Sequence, residues 1–175
     1  MIHKNDVSKP SFKQSMEISS DWCSSWEQGE LSDEVLADLV GGLIRSIEGA
    51  RGFFAVSLSV DCPLLDRLPE PLIIQFRSVG EIVIDITVKN MAMSTAMAVV
   101  HEEKNDFIMM ERSRRISRRC QELLINLEPH AVKNRLEKFL AGLEGSGEDS
   151  KFIDKWGYNF SQKSAITNAI YKIAN

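Results

Sequence analysis

Five arginines packed into eight positions are the residues of this chain with the clearest chemistry. The stretch "ERSRRISRRC" holds Arg112, Arg114, Arg115, Arg118 and Arg119, which are half of the ten arginines in the sequence. Guanidinium groups bind phosphate oxygens in bidentate pairs, so the cluster predicts a site for an anion, a nucleic acid or an acidic protein surface. A second interpretation stays open, in which the arginines are the solvated side of a helix and pair with glutamates one turn away.

The spacing of this stretch predicts how a helix would position these groups. At about 100° per residue, the arginines fall on one side of the helix and the apolar residues fall on the other, namely Ile116, Cys120, Leu123, Leu124 and Leu127. We therefore expect one continuous helix from about Ile108 to Leu127 with all five guanidinium groups in water. No aromatic residue lies between the arginines, so the bases of a nucleic acid would have no stacking surface.

Two tryptophans are candidates for a contact with another protein. Trp22 and Trp26 are four positions apart and so lie on the same side of a helical turn. Exposed tryptophans are frequent anchors of protein–protein interfaces. The alternative, in which both rings fold back and cover the core, is left open by the sequence.

The signatures of common catalytic and metal sites are absent from the sequence. The motif "HEEKN" at His101 lacks the second histidine of a zinc protease, and no nucleophile elbow, phosphate-binding loop or dinucleotide fingerprint occurs. Cys23, Cys62 and Cys120 are far apart and odd in number, which predicts free thiols in a reducing compartment. We expect no metal and no cofactor; the remaining catalytic alternative is a site assembled around His101 and nearby carboxylates.

Length and composition predict one soluble domain in the cytoplasm. The 175 residues are 43% hydrophobic and 26% charged, with a net charge of −4, which argues against a dedicated nucleic-acid binder. The apolar runs are too short to cross a bilayer, and the first residues contain no apolar signal segment, so no membrane partner is expected.

The periodicity of the chain predicts a mainly α fold, a single-domain bundle of five or six helices. Alternating apolar residues at 53–61 favour one short β pair, which leaves an α+β fold as the alternative. Residues 82–89 also alternate, but the alanine- and methionine-rich segment after them favours a buried helix from about Asp85 to Glu103. Four segments are expected: a mobile tail (1–18), a helical core (19–144), a flexible joint (145–150) and a C-terminal helical appendage (151–175).

Three segments in order resemble a known but uncharacterised family. "LIRSIEGARGFF", "VKNMAMSTAMAVVHEE" and "RRISRRCQELL" are similar to small soluble proteins of cyanobacteria and plastids, over roughly residues 35–127. The resemblance implies a helical domain in a bacterial cytoplasm. It implies no activity, and no residue acquires a function from it.

The leading functional hypothesis is a non-enzymatic protein-interaction or regulatory module that uses the arginines or the tryptophans. Its partner would be another protein or a second copy of the chain. The first alternative is an anion or nucleic-acid binder that uses the arginine-rich helix face. The second alternative is an enzyme with a site near His101.

Overall fold

The computed structural model describes residues 9–174, and this part of the chain folds into helices joined by short loops. It contains nine α-helices, a 3-10 turn and no strand: α1 (Phe12–Glu27), α2 (Asp33–Leu43), α3 (Ile47–Ser57), the turn Pro63–Leu65, α4 (Glu70–Val79), α5 (Glu81–Glu103), α6 (Phe107–Ile125), α7 (Pro129–Leu143), α8 (Asp149–Trp156) and α9 (Phe160–Ala174). The predicted bundle of five or six helices with a short β pair is therefore wrong, and so is the α+β alternative.

The apolar alternation at residues 53–61, which predicts a strand, belongs to α3 and the turn after it. α3 packs against α1, α2 and α5, so Phe53, Phe54 and Val56 are all buried although they lie on different sides of the helix. A helix that is buried on most sides loses the 3.6-residue period by which it is recognised. The two phenylalanine rings pack against the ring of Phe76 from α4, at centroid distances of 6.0 and 5.5 Å.

α5 lies at the centre of the molecule and explains the ambiguity at residues 82–89. It packs against α3, α6, α7 and α9, so apolar residues occupy most of its circumference. The apolar positions at 82–89 therefore happen to alternate with polar ones, although the segment is helical. The helix begins four residues before the predicted start at Asp85 and ends at the predicted Glu103. Among the described helices, α5 is long and apolar enough to cross a membrane by length and composition, and half of its apolar window is buried by protein.

α1 begins inside the predicted mobile tail (1–18), so the boundary of that tail was placed too late. The helix begins at Phe12, so residues 12–18 are helical, while residues 1–8 lie outside the described part of the chain. Ser11 and Gln14 form a capping box that starts it. The residues that α1 buries are small, namely Ser15, Ser19 and Cys23. The sequence therefore shows no apolar stripe here, although the segment is part of the fold.

The close contact of α1 with α3 depends on Gly52. A methyl group at Gly52 would overlap Cβ of Ser15 and would lie 2.9 Å from the carbonyl oxygen of Phe12. The two backbones are therefore in contact, which only a residue without a side chain allows. This contact fixes α1 on the core without large apolar side chains.

The C-terminal helices also belong to the core. α9 packs along α5 and buries Ile166 and Ile170, and α8 buries Ile153 against α7. The helices within the predicted appendage (151–175) share one apolar cluster with the preceding helices, which corrects the prediction of a separate appendage. The glycines of the predicted joint, Gly145 and Gly147, have positive φ angles of 92° and 81° and end α7 with a tight turn.

Candidate functional site

Arg119 is the most deeply buried of the five clustered arginines, with 2% of its surface exposed. Its Nε and Nη2 groups each donate to the carboxylate of Asp66 at 2.8 Å. The remaining donors contact four main-chain carbonyls at 2.7–3.2 Å, those of Ser57, Leu58, Val60 and Cys62. The expectation that all five guanidinium groups face water is wrong for Arg119.

The burial of Arg119 follows from its position and from its partners. On the helical wheel it borders the apolar stripe of α6, one turn before the buried Leu123. The carbonyls that it contacts belong to the last residue of α3 and to the turn after it. Main-chain acceptors at the C-terminus of a helix have no helical partner, and a cation is favoured there. The hydrogen bond from Arg119 holds the pKa of the Asp66 carboxyl well below its usual range. Arg119 is thus a structural clamp on the turn after α3.

Arg115 holds the same turn from one helical turn away. It donates to the Asp61 carboxylate at 2.9 Å, to the Asp61 carbonyl at 3.0 Å and to the Asp66 carboxylate at 3.0 Å. The side chain is about one third exposed, so part of its donor set still faces solvent. Two arginines therefore share one structural task.

The other three clustered arginines lie at the surface. Arg114 pairs with Glu111 at 3.3 Å and with Glu102 at 3.4 Å, and Arg118 lies 3.9 Å from Glu111. Exposed pairs of this kind contribute about 0.2–1 kcal/mol. Within residues 9–174, Arg112 is the one member of the cluster that has no carboxylate partner. A polyanion would therefore meet one unpaired guanidinium and not a row of five.

A surface cavity of about 530 Å³ lies beside Arg112, between α6 and the turn after α3. Its polar lining consists of Ser59, Asp61, Arg112, Ser113 and Arg115. The apolar lining consists of Leu58, Val60, Met109 and Ile116. Below we call it the Arg112 cavity.

An exposed apolar face on α2 is a second candidate site, which the sequence analysis did not single out. Val35 and Leu39 are 48% and 37% exposed, and Gly42 continues the same side of the helix. Gly41 is explained inside the molecule, because a side chain there would overlap the amide of Gln75 from α4. Gly42 faces open space, because a methyl group added there would have no atom within 4 Å. We call Val35, Leu39 and Gly42 the α2 face.

The tryptophans are both half-buried and pack against the core cluster. Trp26 Nε1 donates to the Asp33 carboxylate at 2.7 Å, which ties the end of α1 to the first turn of α2. The ring of Trp26 thus covers the junction of these helices. Both side chains remain partly exposed.

The catalytic alternative depends on His101, at the end of α5. His101 lies in the last turn of α5 and its ring forms no hydrogen bond or ion pair with residues 9–174. Burial raises the pKa of the Cys23 thiol to about 12 and also raises the pKa values of Cys62 and Cys120, so all three stay protonated at neutral pH and are poor nucleophiles. Among the described residues, no group of three His, Cys, Asp or Glu side chains is arranged to hold a metal ion.

One charged cluster escaped the sequence analysis. Arg135 on α7 donates to the Asp149 carboxylate at 2.7 and 2.8 Å and to Asp85 at 2.9 Å, and Lys89 donates to Asp85 at 2.9 Å. These contacts join α8 to α5 and α7, beside a cavity of about 510 Å³. The available signal was the place of Arg135 next to the apolar stripe of α7, the same signal that marks Arg119. Its donors are occupied, so the cluster is an interhelical connection.

The comparisons with known proteins identify a family. A family model described as uncharacterised conserved protein UCP020893 matches residues 11–173, a span that reaches from α1 into α9. No curated protein and no solved structure matches the chain significantly.

Proposed function

The chain belongs to the family described as uncharacterised conserved protein UCP020893, and we propose that it is a non-enzymatic interaction module that self-associates through the α2 face. The observation that carries this proposal is Gly42, a residue without a side chain in an exposed apolar helix face, against which no described residue packs. A cyanobacterial or plastid origin and a cytoplasmic location are part of the same proposal. They are supported by the resemblance over residues 35–127 and by free cysteines.

Gly42 is costly unless something outside the molecule packs against it. Glycine inside a helix is about 1 kcal/mol less favourable than alanine. At Gly41 a neighbouring side chain needs the space, whereas at Gly42 no described residue does. A hole flanked by Val35 and Leu39 at helical spacing is the geometry that accepts a side chain from another helix.

The α2 face is complementary to a second copy of itself. In an antiparallel pair with its two-fold axis between Asp38 and Leu39, Val35 of each copy lies opposite Gly42 of the other, and the two Leu39 side chains meet. Such isologous contacts use one patch twice and close into a dimer. α4 borders the α2 face, because Gln75 Nε2 donates to Asp38 at 3.5 Å, and α4 carries the exposed Ile74 (56%).

The charges at the ends of α2 favour the same antiparallel arrangement. Glu34 and Arg45 are exposed and form no ion pair with residues 9–174, and the pairing brings Glu34 of one copy within reach of Arg45 of the other. The two Asp38 carboxylates approach on one side and repel. An interface built on an 11-residue helix is small, so we expect a reversible dimer in the micromolar range.

Sedimentation velocity on the full chain, between about 10 μM and 1 mM, tests the proposal. We expect a concentration-dependent dimer that Gly42→Leu abolishes, because leucine fills the hole. The melting temperature of the variant should not fall, since the position is open in the monomer. Asp38→Asn should strengthen the dimer by removing the repulsion. Ile108→Ser is the matched control, as Ile108 is 72% exposed on α6, and it should leave the dimer unchanged.

A wild-type chain that stays monomeric over this range would contradict self-association. A dimer that Gly42→Leu leaves intact would contradict the α2 face as its interface.

A further inference from the structure

We propose that the Arg112 cavity binds a small phosphomonoester with an apolar or aromatic body. This inference stands apart from the proposed dimer, because none of its residues lies on the α2 face. It rests on three features of the cavity: a guanidinium without a carboxylate partner among residues 9–174, a serine hydroxyl that forms no hydrogen bond with those residues, and an apolar wall.

The charged lining of the cavity is suited to one oxyanion. Arg112 contributes a guanidinium whose contact within residues 9–174 is the Met109 sulfur at 3.8 Å. Arg115, three positions later, presents its remaining donors on the same side of α6. Asp61 is the acidic residue of the lining, and its carboxylate is already held by Arg115 at 2.9 Å. The lining therefore keeps one net positive charge, on Arg112.

Ser113 supplies a third donor. Its side chain is 7% exposed and lines the cavity, yet its hydroxyl forms no hydrogen bond with residues 9–174. This hydroxyl can therefore donate to an oxygen atom of a molecule in the cavity. Ser117, one turn later on the same helix, is satisfied, because it contacts Thr95 at 2.8 Å and accepts from Gln121 at 3.1 Å. Ser113 therefore places a hydroxyl donor beside the guanidinium of Arg112.

The shape and lining of the cavity narrow the class of ligand. Two guanidinium groups and a hydroxyl can serve the three terminal oxygens of a phosphomonoester, whereas a carboxylate has only two oxygens. The volume of about 530 Å³ is in the range of small-molecule sites and exceeds what phosphate alone needs. Leu58, Val60 and Ile116 line the remainder, so the organic part of the ligand should be apolar.

Isothermal titration calorimetry with three probes tests the class: phenyl phosphate, inorganic phosphate and benzoate. We expect saturable binding of phenyl phosphate, about tenfold tighter than either other probe, because only it fills both the polar and the apolar parts. Equal affinity for benzoate would overturn the phosphate assignment. Equal affinity for inorganic phosphate would overturn the apolar body.

Variants of the lining test the residues. Arg112→Ala should weaken phenyl phosphate binding about tenfold or more, and Ser113→Ala should weaken it severalfold. Asp61→Asn should strengthen binding severalfold, because it removes the carboxylate that competes for Arg115. Arg118→Ala is the matched control, since Arg118 lies on the same helix outside the cavity, and it should change nothing.

Two results would overturn the proposal outright. One is the absence of saturation up to about 10 mM phenyl phosphate, a concentration that detects even weak specific binding. The other is equal affinity in Arg112→Ala and Arg118→Ala. Repeating the titration on Gly42→Leu separates this site from the proposed dimer, because that change leaves the cavity intact and binding should persist.

Discussion

Arg118 and Arg119 are neighbours with the same side chain, yet one is at the surface and the other is enclosed by protein. A step of about 100° around α6 carries the side chain from solvent to the edge of the apolar face. There Arg119 meets a carboxylate and four carbonyls, which together satisfy its donors. Burying a guanidinium costs desolvation free energy, so it occurs only where such a complete set of acceptors is available.

The contrast gives a prediction at the scale of the residue. Arg119→Met keeps much of the volume but leaves Asp66 and the end of α3 without their donor, so it should lower the free energy of unfolding by about 3–5 kcal/mol. Arg118→Met should change it by less than about 0.5 kcal/mol. Urea denaturation followed by circular dichroism measures both. Equal stability of the two variants would show that the clamp does not stabilise the fold.

The helical wheel explains what could be predicted at this scale. It correctly assigned Leu123, Leu124 and Cys120 to the core, because they lie in the middle of an apolar face. It failed for Arg119, because a residue at the edge of that face was assigned to solvent by its chemical type. Its partners lie 53–62 positions away in the chain, a distance that no local pattern reports.

At the scale of the element, the helices differ in how their contacts are made. α6 and α7 present one wide apolar stripe each, and α6 was predicted nearly to its ends. α1 and α3 instead approach through small residues, with Gly52 against Ser15. A contact of two backbones has no hydrophobic signature, which is why α1 was taken partly for a tail and α3 for a strand.

Glycine variants test this account of the α1–α3 contact. Gly52→Ala should destabilise the protein by about 1–3 kcal/mol, because its methyl group meets the backbone of α1. Gly41→Ala should cost much less, since it meets only the flexible end of Gln75. Thermal unfolding of the two variants decides the matter. Similar melting temperatures would mean that α1 can shift freely on α3.

At the scale of the whole molecule, residues 9–174 form one packed unit around α5. The sequence suggested a joint at 145–150 because glycine and serine are concentrated there. Both glycines do lie in a turn, but the turn is followed by helices that return to the core. Composition reports local flexibility, whereas the path of the chain depends on what the later helices bury.

The integration of α9 is tested by Ile170, which is 1% exposed between α9 and the core. Ile170→Ala should lower the free energy of unfolding by about 2–5 kcal/mol through lost burial and the cavity that remains. Lys172→Ala, at an exposed position of the same helix, should have almost no effect. A single cooperative transition in both variants is expected by circular dichroism. A loss of only the α9 signal in Ile170→Ala would mean that this helix unfolds independently.

The clamp of Arg119 on the turn after α3 also sets an order of events during translation. α3 leaves the ribosome some sixty residues before the arginine that closes its end. Until then the carbonyls of that turn have only water as a partner. The amino-terminal half of the nascent chain therefore cannot complete its fold alone, and it is in this interval that a chaperone has most to bind.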